Sequence, residues 1–141
     1  YSKLQHTRTF RWAGGEPFIS RSYLDLWEYI VSLNNQNLKN VIQTNGSYLT
    51  KKKDLLTAMM PYISQLRISF DAGTADTYTK IRKNGNWDTL LNNTELAVEL
   101  SAEFDAIVSA DFVVQLDNFK EIPHEEVYPF RNYRFGKYVK Y

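Results

Sequence analysis

Trp12-Ala13-Gly14-Gly15-Glu16-Pro17-Phe18 is the stretch on which the fold turns. A strand-like run, Thr9 to Ala13, stops at two glycines; an acid, a proline and then an amphipathic helix follow. Paired glycines at a strand end let the backbone take positive φ and approach a ligand with no Cβ in the way. Glu16 is expected at the rim, where a carboxylate reaches a bound cation or amine. Taken alone, the join also reads as a tight turn inside an α/β unit.

Outward from this corner the same unit recurs. Ser22-x-x-Asp25 has the form of a capping box, and Tyr23, Leu26, Trp27 and Ile30 follow at helical spacing. That helix fades at Asn34-Asn35-Gln36-Asn37. A second strand, Asn40 to Thr44, ends in Asn45-Gly46, and a helix from about Lys52 to Met60 is stopped by Pro61. The third strand is Gln65 to Asp71, followed by Ala72-Gly73. Thr74 can cap a short helix carrying Tyr78 and Ile81. A longer helix then carries Trp87, Leu90, Leu91, Thr94 and Val98 along one side, and a fourth strand is expected from Ala106 to Leu116. Strand and helix in alternation, with turn residues at each strand's carboxyl end, predict α/β architecture built from parallel βα units.

The strands carry a second pattern. A parallel sheet covered on both faces reads as unbroken apolar runs, but these strands alternate. Leu66, Ile68 and Phe70 oppose Arg67, Ser69 and Asp71; Val108, Ala110, Phe112 and Val114 oppose Ile107, Ser109, Asp111, Val113 and Gln115. Arg11 opposes Phe10 and Trp12, and Gln43 opposes Ile42. One face therefore takes the helices. The other holds Arg11, Gln43, Arg67, Ser69, Asp71, Ser109, Asp111 and Gln115. Such a face is either the solvated side of an open sheet or the polar lumen of a partial (β/α) barrel. The second is preferred, because the glycine turn and Asp71 fall at the end of the sheet where α/β proteins bind ligands.

Composition narrows the chemistry. The 141 residues fit one domain, and 43% hydrophobic with 15% aromatic content argues for a folded protein. A net charge of +1 gives no general reason to expect a nucleic-acid partner, and no apolar run is long enough to span a membrane. There are no cysteines, which excludes thiolate catalysis, disulfides and cysteine-ligated metal centres within these residues. His6 and His124 lie far apart and read as surface or loop residues, so no residue is assigned as catalytic or as a metal ligand. The start, Tyr1-Ser2-Lys3, has neither an initiator Met nor a signal-peptide apolar region, which suggests a chain cut from something longer.

Four stretches together resemble radical S-adenosylmethionine (radical SAM) enzymes: Gly14-Gly15-Glu16-Pro17; Thr44-Asn45-Gly46; Ile68-Ser69-Phe70-Asp71-Ala72-Gly73-Thr74 with Ile81-Arg82; and Phe112-Val113-Val114-Gln115-Leu116-Asp117-Asn118-Phe119. The last is similar to the SPASM-type branch, which carries an extra cluster domain and modifies peptides or proteins. The resemblance covers roughly Thr9 to Glu121. It implies a barrel running from about its second to its fifth strand, with residues 124–141 outside the pattern. It also implies that Gly14, Gly15 and Glu16 hold the cofactor's amino group and that Ser69 contacts its ribose or carboxylate. Arg82 is a candidate partner of that carboxylate, or else a solvated helix charge. Gln115 would reach cofactor or substrate from the fourth strand. Asp71 is a substrate contact or a structural partner of Arg67, the second being preferred.

The family's reaction needs a 4Fe-4S cluster on three closely spaced cysteines, and none is here. The chain is thus expected to be a fragment, or else a natural variant without the cluster, and inactive alone. The enzymatic reading is part of a radical SAM enzyme acting on a peptide or protein. The binding-module reading is a cluster-less relative holding a nucleotide-like ligand or a protein partner. A cytoplasmic location is expected from the absence of targeting signals and the oxygen sensitivity of such clusters. Arg131, Arg134, Lys137 and Lys140 stand among aromatics near the end, a pattern that can bind single-stranded nucleic acid; packed aromatics with solvated basic side chains are preferred.

Overall fold

In a computed structural model, which describes residues 8–121, four parallel strands form one sheet in the order β1 (Thr9–Trp12), β2 (Lys39–Thr44), β3 (Ile63–Ser69) and β4 (Ile107–Asp111). The helices α1 (Arg21–Leu33), α2 (Lys53–Met59), α3 (Ala75–Ile81) and α4 (Trp87–Ser101) lie between them in sequence. This is the expected α/β arrangement of parallel βα units. His6, His124 and the basic aromatic run 131–140 lie outside the described residues.

Alternation along the strands decides which face is covered. In β3, Ile63, Leu66 and Ile68 are buried while Gln65, Arg67 and Ser69 are partly exposed. Trp12, Ile42, Leu66, Ile68, Val108 and Ala110 join the core beneath the helices. Asn40 sits among them on β2 and is fully buried, yet satisfied. Its Oδ1 accepts from Trp12 Nε1 at 2.8 Å, and its Nδ2 donates to the Tyr62 carbonyl at 2.8 Å.

Helix α1 is fastened to the end of β1 by aromatic packing. The ring centroid of Trp12 lies 5.2 Å from Tyr23 and 5.8 Å from Trp27, both edge-on, and Phe18 lies 5.0 Å from Trp27. The helix starts two residues earlier than the Ser22 box predicts. Pro17–Ile19 forms a 3-10 turn running into Ser20 at the cap position, so Ser22 is already helical and Asp25 pairs with Arg21. Thr74 caps α3 as expected, its hydroxyl accepting from Thr77 N.

The fourth strand is the main departure. It ends at Asp111, not Leu116. Beyond Ser69 the ladder stops: Phe70 N and Asp71 N both converge on the Asp111 carbonyl, and no strand pairing runs past it. Side chains instead take the backbone groups that a longer β4 would pair: Val113 N donates to Asp71 Oδ1 at 2.8 Å, and the Val113 carbonyl accepts from Asn118 Nδ2 at 2.8 Å. Residues 112–121 form a strap back across the end of β3, finishing in a 3-10 turn at Phe119–Glu121.

One glycine position is tightly constrained. Gly46 has φ of 76°, and a Cβ there would stand 2.9 Å from Leu90 Cδ1 and 3.0 Å from Ile68 Cγ2. Gly46→Ala therefore combines left-handed strain with overpacking. It should lower unfolding free energy by about 3 kcal/mol, read as a shift in urea midpoint at unchanged slope.

Candidate functional site

Parallel strands in sequential order put the four exits, after Trp12, Thr44, Ser69 and Asp111, along one edge of the sheet. The polar face rises to that edge in layers. Gln43, Arg67 and Ser109 stand in register, and Ser69 is paired with Asp111 above them. The Gln65 amide donates to Ser109 Oγ at 3.1 Å. Arg67 and Asp111 form a two-point ion pair, Nε to Oδ1 at 3.1 Å and Nη2 to Oδ2 at 2.8 Å, although only the first is aligned as a hydrogen bond. Burial pushes the Asp111 carboxyl above its ordinary pKa; Arg67 opposes that shift and the nearby Asp71 charge adds to it. Arg11 and Gln43 are exposed on the same face.

At the first exit, Gly14 and Gly15 both take positive φ, 91° and 61°, as the turn requires. Both are exposed, with nothing within 4 Å of where a Cβ would stand. Among the described residues their backbone groups form no hydrogen bond. A ligand can therefore come against bare peptide groups.

Glu16 does not sit at the rim. It is buried, and three donors point at its carboxylate. Oε1 accepts from Thr44 Oγ1 at 2.6 Å and Phe18 N at 3.2 Å, and Oε2 accepts from Asn45 N at 2.8 Å. The acid ties the glycine turn to the end of β2. Its place in the sequence, next to the glycines, gave no sign of this inward turn. The second exit is pinned in turn by Asn93 of α4, whose Nδ2 donates to the Gly46 carbonyl at 2.5 Å and whose Oδ1 accepts from Thr50.

At the third exit, Ser69 is half-buried and its hydroxyl makes no hydrogen bond among the described residues. Asp71 and Arg82 differ from expectation. Arg67 pairs with Asp111, as described above, while Asp71 pairs with Arg82. Arg82 is thus neither a solvated helix charge nor free to face a ligand carboxylate in this arrangement. Gln115 is not on a strand. It opens the turn of the strap, its carbonyl accepts from Asn118 N and Phe119 N, and its side chain is exposed. Gly14, Gly15 and Ser69 share the edge with open groups; Glu16, Asp71 and Arg82 share it as internal ties.

The strap closes on α3 through Glu121, a residue with no motif around it to single it out. Its Oε2 accepts from Gly73 N at 2.8 Å, and its Oε1 from the Thr74 and Thr77 hydroxyls at 2.8 and 2.7 Å. Burial alone would raise its pKa, but the Thr77, Gly73 and Thr74 donors outweigh it and hold the carboxyl below its ordinary value of 4.5. The folded protein thus binds fewer protons than the unfolded chain in that window. Stability from Glu121 is complete above about pH 4.5 and is lost as pH falls through the lower folded pKa. Asp111, with its raised pKa, acts in the opposite sense. Glu121→Gln should flatten the acid limb of a plot of urea midpoint against pH, and an unchanged limb would count against this assignment.

These elements fit one half of a cofactor site. Bare peptide groups at Gly14 and Gly15 and a free Ser69 hydroxyl suit an amino-acid-like and ribose-like ligand. They do not fit a cluster: the chain has no cysteine, and the described residues contain no group of three His, Asp or Glu that could hold a metal ion. No helix among the described residues is long and apolar enough to cross a membrane.

The Radical SAM superfamily profile matches residues 2–122. Molybdenum cofactor biosynthesis protein 1 of Drosophila melanogaster is 29% identical over 111 residues, covering 77% of this chain and 19% of that protein. The chain therefore spans about a fifth of the length of this relative. With four parallel strands alternating with helices, a glycine turn at the first exit and a profile match over most of its length, the chain belongs to the radical SAM superfamily.

Proposed function

We propose that these residues form the S-adenosylmethionine-binding portion of a radical SAM enzyme and do not carry out its reaction alone. The observation that carries this reading is the Gly14-Gly15 turn, open and unpartnered, on the same sheet edge as the free Ser69 hydroxyl. Gly14 and Gly15 would present backbone acceptors to the cofactor's ammonium, and Ser69 a hydroxyl to its ribose or carboxylate. Glu16 serves by fixing the turn. Arg67, Asp111, Ser109 and Gln65 provide a pre-ordered polar floor. When bound next to a reduced cluster, S-adenosylmethionine supplies hydrogen-abstraction chemistry; the cluster ligands would have to come from residues other than these.

Likeness to the molybdenum cofactor protein favours a small-molecule substrate of that biosynthesis. A peptide or protein substrate, as in the SPASM-type branch, rests on residues 112–119. Those residues resemble the branch in sequence but form a strap. The cluster-less binding module remains the reading to which a ligand-binding, cleavage-inactive full-length protein would point.

Titration of the chain with S-adenosylmethionine, followed by amide chemical shifts, should move Gly14, Gly15 and Ser69 most. Shifts confined to other surfaces, or none at all, would overturn the assignment. With iron, sulfide and reductant added, the chain should yield no deoxyadenosine; an appreciable yield would refute the claim that it cannot react alone.

A further inference from the structure

Asp71 lies two residues beyond Ser69, and its backbone is left-handed, with φ of 55°. A non-glycine residue in that region costs free energy and persists only where its surroundings over-determine it. Here they do. Phe70 N and Asp71 N both donate to the Asp111 carbonyl, at 2.9 and 3.4 Å. Asp71 Oδ1 accepts from Val113 N at 2.8 Å, Oδ2 pairs with Arg82 Nη2, and the Asp71 carbonyl accepts from Asn118 Nδ2 at 2.8 Å. The Asp71 side chain is 6% exposed. With both oxygens engaged, its carboxylate has little left to offer a ligand.

We infer that Asp71 is a positioning residue: its left-handed kink, locked by Arg82, Val113 and Asn118, sets how the chain leaves β3 and so holds Ser69 at the open edge. Arg82 belongs to the same latch and acts through Asp71. The link to binding rests on the cofactor reading above; the link to Ser69 geometry does not. Three residue types separate the contributions. Asp71→Gly keeps positive φ free of strain but removes the carboxylate. Asp71→Asn tolerates the left-handed region and retains an acceptor for Val113 N, but loses the charge and turns an NH2 toward Arg82. Arg82→Gln removes the cation and leaves the kink.

The experiment is amide exchange and Ser69 chemical shifts on the free chain, then S-adenosylmethionine titration, each at a temperature where the variant is fully folded. Asp71→Gly should speed exchange at the Val113 amide about tenfold, displace the Ser69 resonances and weaken binding about fivefold. Asp71→Asn and Arg82→Gln should shift Ser69 in the same direction by less. Unmoved Ser69 resonances in both Asp71 variants would overturn the inference. So would loss of binding in Arg82→Gln with Ser69 and Val113 unchanged, since Arg82 would then contact the ligand itself. If the parent chain fails to bind the cofactor, the cofactor reading falls, while the ligand-free Ser69 shifts still decide whether Asp71 positions it.

Discussion

Glu16→Ala should lower the unfolding free energy by about 3 kcal/mol and weaken binding at the glycine turn in the same protein. The stability term follows from what is left behind. Phe18 N, Thr44 Oγ1 and Asn45 N all donate to this one carboxylate. Hydrogen bonds to a charged acceptor are worth about 1.5–3 kcal/mol each, and orphaned buried donors keep their desolvation cost. Thr44 is buried and its hydroxyl also accepts from Gly46 N, so the loss reaches the second exit as well. Glu16→Gln tests the charge. An amide has one acceptor atom where three donors converge, so at least one of them faces an NH2. The cost should be about 1–2 kcal/mol, smaller than for alanine. The measurement is urea denaturation of both variants. A change below about 0.5 kcal/mol for alanine, the range of ordinary surface substitutions, would mean that the carboxylate does not tie the two exits together.

How far the sequence revealed the structure depends on whether a feature is local or requires a distant partner. Alternation in Leu66, Ile68, Arg67 and Ser69 is a property of neighbouring residues, and it correctly predicted which side of β3 lies under the helices. The Thr74 cap needs only Thr77, three residues on, and was legible for the same reason. Positive φ at Gly14 and Gly15 was legible because two glycines at a strand end admit little else. Partner choice was not. Glu16 looked like a rim residue because Thr44 and Asn45, which draw it inward, lie 28 and 29 positions away. Glu121 reaches its three donors across 44 to 48 positions, and nothing near it in sequence announces them. The length of β4 failed in the same manner. Phe112 to Gln115 has strand composition, but β3 has already ended, and a strand without a neighbour cannot hold its backbone groups.

The second large effect concerns the floor of the site. Arg67→Met should destabilise the protein by about 3 kcal/mol near neutral pH, because it strands Asp111 in a buried setting. The two side chains are only 16% and 7% exposed. Asp111 is already pushed above its ordinary pKa by burial, with Arg67 holding it down and the Asp71 charge pushing it up. Without the guanidinium only the raising influences remain. A carboxyl whose folded pKa exceeds its unfolded value is stabilising when protonated and loses that stability as pH rises through the window between them. The Arg67→Met defect should therefore shrink in acid and grow toward neutrality, opposite in sign to the Glu121 effect. Arg67→Met combined with Asp111→Leu separates loss of the pair from loss of its members. Replacing both charges with apolar groups of similar volume should recover most of the stability, giving a coupling of at least about 2 kcal/mol in a double-mutant cycle. The recovered protein should nevertheless bind S-adenosylmethionine less well, if the polar floor serves the ligand and not the fold. Additive single-mutant costs would instead show that the pair contributes nothing as a pair. Undiminished binding in the double variant would remove the floor from the site and leave the glycine turn and Ser69 to hold the cofactor.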